Sequence, residues 1–326
     1  MSRPGGMIPL KYKSPIKTLL QEAGRLPFSL VLCHMRRNYA AYASVSEAKK
    51  RTITAATHQK VYHYLAGRYS NLAQEDNCSD TVEQPDNSPI WMFWWQGESQ
   101  APEIVKKCIR ATRKHSGHHP VYVIDEKNYR QFIDVPSYIE KKYCNGIISL
   151  THFSDYYRMA LLERHGGLWI DASVFAADEL PKSIWSRPLF TVRNPGNDED
   201  NISNWEWMVG VIGGRKGHPL FTSAAQMLAA YWKEHDILAD YFLFDYMIRI
   251  IFETCPEIRR EIEAIPPNNS AFYQLQEQAN RPAEEFAETN WGERGTYLYK
   301  ISWKGDYRRQ TEDGKETLFA RWIDTE

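Results

Sequence analysis

The sequence predicts an α/β fold with a mostly parallel central sheet, preceded by a helical N-terminal extension. Short apolar runs at 90–97, 121–125 and 168–170 have the length of buried strands. Amphipathic segments separate these runs, and such alternation is typical of parallel sheets covered by helices. A turn-rich acidic stretch precedes the first run, so we predict an N-terminal region, 1–87, and a catalytic domain, 88–326.

The N-terminal region is strongly basic. Residues 1–72 contain 12 Lys and Arg but 2 Asp and Glu; the rest of the chain carries −11, since the whole chain has a net charge of −1. Helical spacing begins at about Ile16. One interpretation is an arm that binds the anionic inner face of the cell membrane. The other is a helical extension packed on the catalytic domain with a solvated basic face, and the two interpretations are compatible.

Other features exclude several classes of protein. The near-neutral net charge argues against a nucleic-acid partner. No apolar run reaches the roughly 18 residues of a membrane-spanning helix, and neither Gly-rich phosphate-binding loop, G-x-G-x-x-G or G-x-x-x-x-G-K-[ST], is present. The cysteines are odd in number and widely spaced, which favours a reducing, cytoplasmic setting over a disulfide framework or zinc site: Cys33, Cys78, Cys108, Cys144 and Cys255.

The segment 151–175 is the most informative part of the chain. It predicts a helix capped by Ser154, because a hydroxyl can accept a free backbone N–H at a helix start. Gly166 is expected to end this helix in a left-handed conformation. A short buried strand then runs into Asp171. A carboxylate at the carboxyl end of such a strand lies where α/β sheets bind ligands.

Two charged residues of this helix, Asp155 and Arg158, are spaced to point to the same side. The returning strand can bring Asp171 and Ser173 close to them. The prediction is one pocket with two carboxylates, a guanidinium and a hydroxyl. The alternative for Asp155 and Arg158 is a surface ion pair, which contributes under about 1 kcal/mol to stability.

The ordered pattern Ser154-Asp155-x-x-Arg158, followed by Gly166-Gly167-x-Trp169-x-Asp171-x-Ser173, resembles the sugar-nucleotide signature of retaining glycosyltransferases with the GT-A fold. The chain is most similar to the bacterial capsular polysaccharide synthesis protein family, from about Ile90 onwards. The resemblance implies a Rossmann-like GT-A domain that transfers a sugar from a UDP-sugar with retention. One departure is that the usual Asp-x-Asp becomes Asp171-Ala172-Ser173, so a hydroxyl replaces the second carboxylate.

The same resemblance implies how the nucleotide-sugar would be bound. The turn after the first strand, which includes Gln96, would hold the base, with Trp94 as the first stacking candidate and Trp95 as its rival. Asp125 would hydrogen-bond ribose or base, or else cap the helix that follows. A C-terminal loop with Trp303 and Lys304 would close over the diphosphate, and Ala172 lies within the motif.

The expected chemistry assigns a role to each charged group. Sugar transfer leaves a negatively charged diphosphate, which Arg158 and Lys304 would stabilise, while Asp155 would hold sugar hydroxyls. Asp171 would bind ribose or, through water, a divalent cation, Mn²⁺ or Mg²⁺. Ser173 would be a weak further metal ligand or would replace the metal with a hydrogen bond. We therefore take Asp155, Arg158 and Asp171 as candidate catalytic residues.

The expected acceptor is a growing capsular or other surface glycan, free or lipid-linked. Two alternatives remain: a sugar-phosphate transferase, and a non-catalytic nucleotide-sugar-binding module in which the changed motif marks a decayed site. Two further positions stay open on sequence grounds. Asp245 would face substrate or pair with Arg249, and His218 would cap a helix or touch sugar.

Overall fold

The computed structural model describes residues 15–74, 87–196, 201–286 and 295–325. Residues 75–86 lie outside these ranges; they include Cys78 and most of the acidic stretch that precedes the first apolar run. Residues 197–200, in the middle of the polar loop 194–204, also lie outside them. In chain order the strands are β1 (Ile90–Phe93), β2 (Val121–Ile124), β3 (Gly167–Ile170), β4 (Val174–Ala176), β5 (Leu189–Thr191), β6 (Val211–Gly214) and β7 (Leu298–Lys300).

Five of these strands form the central sheet, in the order β2-β1-β3-β6-β5. β1 pairs in parallel with β2 and β3, whereas β6 is antiparallel to β3 and β5. Within the described residues, four of the five strands therefore share one direction, and the predicted mostly parallel α/β sheet is confirmed. β4 and β7 form a separate antiparallel pair beside the end of β3.

The helices cover the faces of the sheet and account for most of the described part of the N-terminal region. They are α1 (Pro15–Glu22), α2 (Phe28–Tyr42), α3 (Glu47–Tyr69), α4 (Glu103–Lys114), α5 (Ser137–Cys144), α6 (Leu150–His165), α7 (Pro219–Glu234), α8 (Leu243–Thr254), α9 (Pro256–Glu263), α10 (Gln274–Gln278) and α11 (Leu318–Asp324). None of the helices in these described ranges combines the length and apolar character that a bilayer crossing requires.

Helix α6 starts earlier than the sequence predicted. Ser149, not Ser154, is the cap residue, and its hydroxyl accepts the backbone N–H of His152. Ser154 lies one turn inside the helix, where its hydroxyl instead donates to the carbonyl of Thr151 at 2.7 Å. The end of the helix is as predicted, because Gly166 has φ +68°. The early start places Asp155 in the second turn and Arg158 in the third, and both are buried.

The starts of two further elements, β6 and α4, also differ from the sequence predictions. The alternation of Trp205, Trp207, Val209 and Val211 predicts a strand, but β6 begins only at Val211, and Trp205 lies in a turn with φ +63°. The sequence also predicts Pro102 at the first position of a helix, but Pro102 precedes α4 as its cap residue. These differences move segment boundaries and leave the order of the elements unchanged.

The N-terminal helices pack on the catalytic domain. Val61 and Leu65 of α3 are fully buried in the same apolar core as residues of α6, α7 and α8. Polar contacts join the same surfaces: Tyr62 donates to Glu253 at 2.6 Å, and Arg37 of α2 donates to Asp240 at 2.7 Å. Packing on the rest of the fold, which is one of the two interpretations of this region, is therefore observed for α2 and α3.

Candidate active site

Asp171 follows β3 directly, so its side chain emerges at the carboxyl end of a central strand. The indole N–H of Trp169 donates to its Oδ1 at 3.0 Å. Its backbone N–H donates to the carbonyl of Gly210 at 2.8 Å, which ties it to the segment entering β6. A Cβ at Gly210 would lie 2.8 Å from Asp171 Oδ2, so this close approach requires glycine.

Arg158 of α6 lies against Asp171 and is 4% exposed. Its Nη2 is 3.4 Å from Asp171 Oδ1 and 3.6 Å from Asp155 Oδ1, and its Nη1 donates to the carbonyl of Val209. The guanidinium also packs over the rings of Trp169 and Phe244, at 4.6 and 5.3 Å. The alternative of a surface ion pair is therefore wrong, because the guanidinium is desolvated and fixed on several sides.

Lys300 is a second cation in contact with Asp171, and it is not among the site residues predicted from the sequence. Its Nζ donates to Asp171 Oδ2 and to Ser173 Oγ, each at 2.9 Å. The pairing of β4 with β7 creates this contact, because it sets Lys300 opposite Val174. The available signal was a lysine within the otherwise apolar strand segment 298–301. The predicted lysine, Lys304, instead lies 4.7 Å above the ring of Trp303.

These cations set the charge of Asp171. Burial by itself would raise the pKa of the Asp171 carboxyl. Lys300 and Arg158, together with the hydrogen bond from Trp169, outweigh burial and hold that pKa below its ordinary value of 3.8. Asp171 is therefore an anion at neutral pH, held between two positive groups.

The pKa values of the other two carboxyl groups of the site, Asp155 and Asp245, are raised instead. Burial raises the pKa of Asp155 to about 7; Arg158 opposes this shift and the negative charge of Asp171 adds to it. Burial also raises the pKa of Asp245, on α8, to about 7, with repulsion from Asp155 adding to the shift. Asp245 accepts a hydrogen bond from the indole of Trp207 at 3.2 Å. The site thus has an ionised carboxylate beside two that exchange protons near neutral pH.

The predicted pairing of Asp245 with Arg249 does not occur, because Arg249 donates to Glu253 at 2.8 Å. Asp245 instead lies near Asp155, whose charge adds to the rise of its pKa, and its contact with substrate stays a prediction. His218 caps α7, accepting the N–H of Leu220 at 3.1 Å, and is fully buried.

The aromatic residues proposed for the base differ in their surroundings. Trp94 meets Trp303 edge to face, with ring centres 5.3 Å apart, and its buried indole N–H has no partner among the described residues. Trp95 lies in an aromatic cluster with Tyr129, Tyr143 and Phe153. Trp94 is therefore the better placed of the two for a ligand, and Trp95 contributes to the core.

The remaining predicted nucleotide-binding residues follow the carboxyl ends of strands β1, β2, β3 and β7. Gln96 is exposed in the turn after β1, and Ala172 is 6% exposed. Asp125 Oδ1 accepts the backbone N–H groups of Lys127 and Asn128 at 2.8 and 3.0 Å, which is the capping role. Its Oδ2 faces Gly97, where a Cβ would lie 3.3 Å away. Trp303 is 41% exposed.

The residues predicted to hold a divalent cation do not fit that role as they stand. Mg²⁺ and Mn²⁺ need at least one or two protein oxygens free to bind them, with substrate phosphates and waters as the other ligands. Asp171 Oδ2 and Ser173 Oγ both accept hydrogen bonds from Lys300, and Asp171 Oδ1 is engaged by Trp169. Across the described ranges, no three His, Cys, Asp or Glu side chains are grouped so that they could hold a metal ion.

Comparison with known proteins gives two findings. The family model "Capsular polysaccharide synthesis protein" matches residues 42–321, beginning well before the predicted limit at Ile90. Among solved structures, the chain is similar to a PaToxG glycosyltransferase, with 15% identity, a TM-score of 0.39, and coverage of 70% of this chain and 86% of that chain. No curated protein matches. Because the family model spans most of the 326 residues, the chain belongs to the capsular polysaccharide synthesis protein family.

Proposed function

We propose that this protein is a glycosyltransferase that moves a sugar from a UDP-sugar to a growing capsular or other surface glycan, with retention of anomeric configuration. The single observation that carries the proposal is the arrangement around Asp171. An ionised carboxylate lies between Arg158 and Lys300, at the carboxyl end of a central strand, beside the buried Asp155 and Asp245. Family membership supports the glycan product.

The charges of the site suit the two halves of such a reaction. Breaking the bond between sugar and diphosphate leaves additional negative charge on the phosphate and positive character at the anomeric carbon. Arg158 and Lys300 supply fixed positive charge on one side, and no solvent must reorganise to provide it. Asp155 and Asp245 supply hydrogen-bonding carboxyl groups on the other side, suited to sugar hydroxyls.

The nucleotide is proposed to bind at the carboxyl end of β1, which Trp94 follows. Trp94 offers an aromatic surface and an indole N–H that no described residue accepts, and Trp303 lies beside it. Lys304, which packs on Trp303, would approach the diphosphate from the C-terminal segment. Gln96 and Asp125 would contact base or ribose, because they lie in the turns that follow β1 and β2.

The test is nucleotide release from a panel of UDP-sugars, measured by chromatography with and without a glycan acceptor. We expect free UDP from one of the sugars, slowly without acceptor and faster with it. Release of UMP would instead indicate a sugar-phosphate transferase. Binding of UDP-sugar without any release, with acceptor present, would indicate the non-catalytic binding module.

We also propose that the protein binds an anionic membrane surface through α1 and α2. Large apolar side chains are unusually exposed there, with Leu20 at 76% and Phe28 at 74%. Phe28, Leu32 and Tyr39 lie on one face of α2, at spacings of four and seven residues. Exposed Arg25 and neighbouring basic residues complement anionic headgroups. This stripe precedes Tyr42, where the family match begins.

Vesicle sedimentation tests the membrane proposal. The full chain should pellet with vesicles containing phosphatidylglycerol and remain in the supernatant with pure phosphatidylcholine. Leu32→Glu should reduce pelleting several-fold, because it removes an apolar contact and adds repulsion. Ile147→Glu, at an exposed apolar residue of the catalytic domain, should not. Equal pelleting by both variants would place the contact elsewhere.

A further inference from the structure

We infer that the Lys300 ammonium supplies, at this site, the positive charge that a divalent cation would otherwise provide to the donor diphosphate. On this inference Asp171 and Ser173 hold the lysine in position and do not bind metal. The inference rests on the proposed function for its substrate and on the geometry around Lys300 for its content.

The first argument is the position of the nitrogen. Lys300 Nζ lies 2.9 Å from both Asp171 Oδ2 and Ser173 Oγ, the two atoms that the sequence motif assigns to a metal. A metal bound by the same two oxygens would have to displace the ammonium. It would also lie close to the Arg158 guanidinium, which would repel it.

The second argument is the capacity of Lys300 for a further ligand. An ammonium has three protons. Two are donated to Asp171 and Ser173, and the third has no partner among the residues that the structure describes. The lysine side chain is 21% exposed and that of Asp171 is 27% exposed, so this end of the ion pair is open to solvent. A phosphate oxygen could accept the third proton without breaking either existing contact.

The third argument concerns how firmly the lysine is held. Its backbone N–H donates to the carbonyl of Phe272, and the neighbouring Ile301 N–H donates to the carbonyl of Ser173 at 3.0 Å. The second bond and the pairing of β4 with β7 hold these strands together, and the first bond ties β7 to the turn at Phe272, all without help from the side chain. The contact between Lys300 and Asp171 is therefore not needed to join the strands, which leaves its charge available for binding.

The experiment measures UDP affinity by isothermal titration calorimetry on the full chain, in EDTA and in Mn²⁺. Wild-type affinity should agree within about threefold between the two conditions. Lys300→Met should weaken UDP binding in EDTA at least tenfold, and Lys300→Arg should recover part of the loss. Lys182→Met, at an exposed lysine on another surface, is the matched control and should bind as the wild type does.

A second measurement does not depend on the nucleotide. Free Mn²⁺ is followed by electron paramagnetic resonance as protein is added. The wild type should bind Mn²⁺ no more tightly than Asp171→Asn does. Lys300→Ala should bind it more tightly, because the oxygens of Asp171 and Ser173 are released, and adding Asp171→Asn to that variant should remove the gain.

The inference is overturned if wild-type UDP binding falls tenfold or more in EDTA, or if the wild type binds Mn²⁺ in a manner that Asp171→Asn abolishes. It is also overturned if Lys300→Met binds UDP as tightly as Lys182→Met. Failure of the proposed function would look different: the wild type would bind no UDP in either condition. In that case the Mn²⁺ titration alone decides whether Lys300 excludes metal.

Discussion

Asp171 and Asp245 are the same residue type in one pocket, yet their surroundings give them opposite properties. Asp171 contacts Lys300 and Arg158, and its pKa is lowered. Asp245 contacts the neutral indole of Trp207, and burial raises its pKa to about 7. The difference teaches that the partner, more than the depth of burial, decides whether a carboxylate in this site carries charge.

The contrast divides the pocket into two parts. The end of β3 is a fixed charge cluster, in which the one anion orients two cations. The face formed by α6 and α8 contributes Asp155 and Asp245, which take up or release protons near neutral pH. A phosphate suits the first part and a sugar suits the second, so the division matches the two ends of a nucleotide-sugar.

Asp171→Asn should produce the largest effect. Removing the anion releases Arg158 and Lys300 from their positions, and a displacement of catalytic groups by about 1 Å lowers rates on the order of 100-fold. UDP release from the preferred donor measures the change. Asp178→Asn, at an exposed aspartate, is the control and should leave the rate unchanged. Turnover within twofold of the wild type for Asp171→Asn would remove the charge cluster from the mechanism.

Gly210→Ala should produce an intermediate effect on the same cluster. The added methyl would lie 2.8 Å from Asp171 Oδ2, so the carboxylate must shift away from Lys300. We expect UDP release to fall about tenfold while the fold is retained. Gly67→Ala, in α3 with nothing within 4 Å of the new methyl, should leave UDP release unchanged. An unchanged rate for Gly210→Ala would show that the position of Asp171 is not limiting.

Asp245→Asn should produce the smallest effect, a pH-dependent change in stability. The pKa of Asp245 is about 7 in the folded protein and its ordinary value is 3.8, so between these pH values the folded state holds a proton that the unfolded state releases. Its contribution to stability therefore falls as pH rises through this window. Asparagine can accept the same bond from Trp207 and carries no charge.

We therefore expect the difference in melting temperature, Asp245→Asn minus wild type, to become more positive between pH 4 and pH 7.5. The expected change in this difference is about 2 °C or more. Scanning calorimetry at several pH values measures this trend. Asp134→Asn, at a carboxylate whose side chain is 97% exposed, serves as the reference and should show no comparable trend. If the difference in melting temperature between Asp245→Asn and the wild type does not vary with pH, the raised pKa of Asp245 would be contradicted.

Local sequence was a good guide to the fold wherever a pattern repeats along the chain. The apolar runs predicted β1, β2 and β3 correctly, and helical spacing over 219–232 and 241–252 predicted α7 and α8. These patterns are informative because burial imposes that periodicity. Caps were less certain: Ser149 and Ser154 are both hydroxyl residues near the start of α6, and only packing selects between them. Trp205 had the alternation of a strand but lies in a turn.

The site was predicted only in part, for a related reason. Asp155, Arg158 and Asp171 are close in sequence, and helix-turn-strand geometry brings them together locally. Lys300 is far along the chain from Asp171, so no local pattern links the two. Their contact depends on the pairing of β4 with β7, which is a property of the whole fold.

The sequence by itself determined the elements, the α/β class and the Asp155, Arg158 and Asp171 core of the site, because periodicity and short-range spacing are local properties. Tertiary structure decided the charge of each carboxylate. It placed Lys300 on Asp171 and Ser173, surrounded Arg158 with Trp169 and Phe244, and brought Asp245 near Asp155. Charge depends on desolvation and on neighbours in space, and only the folded chain fixes those.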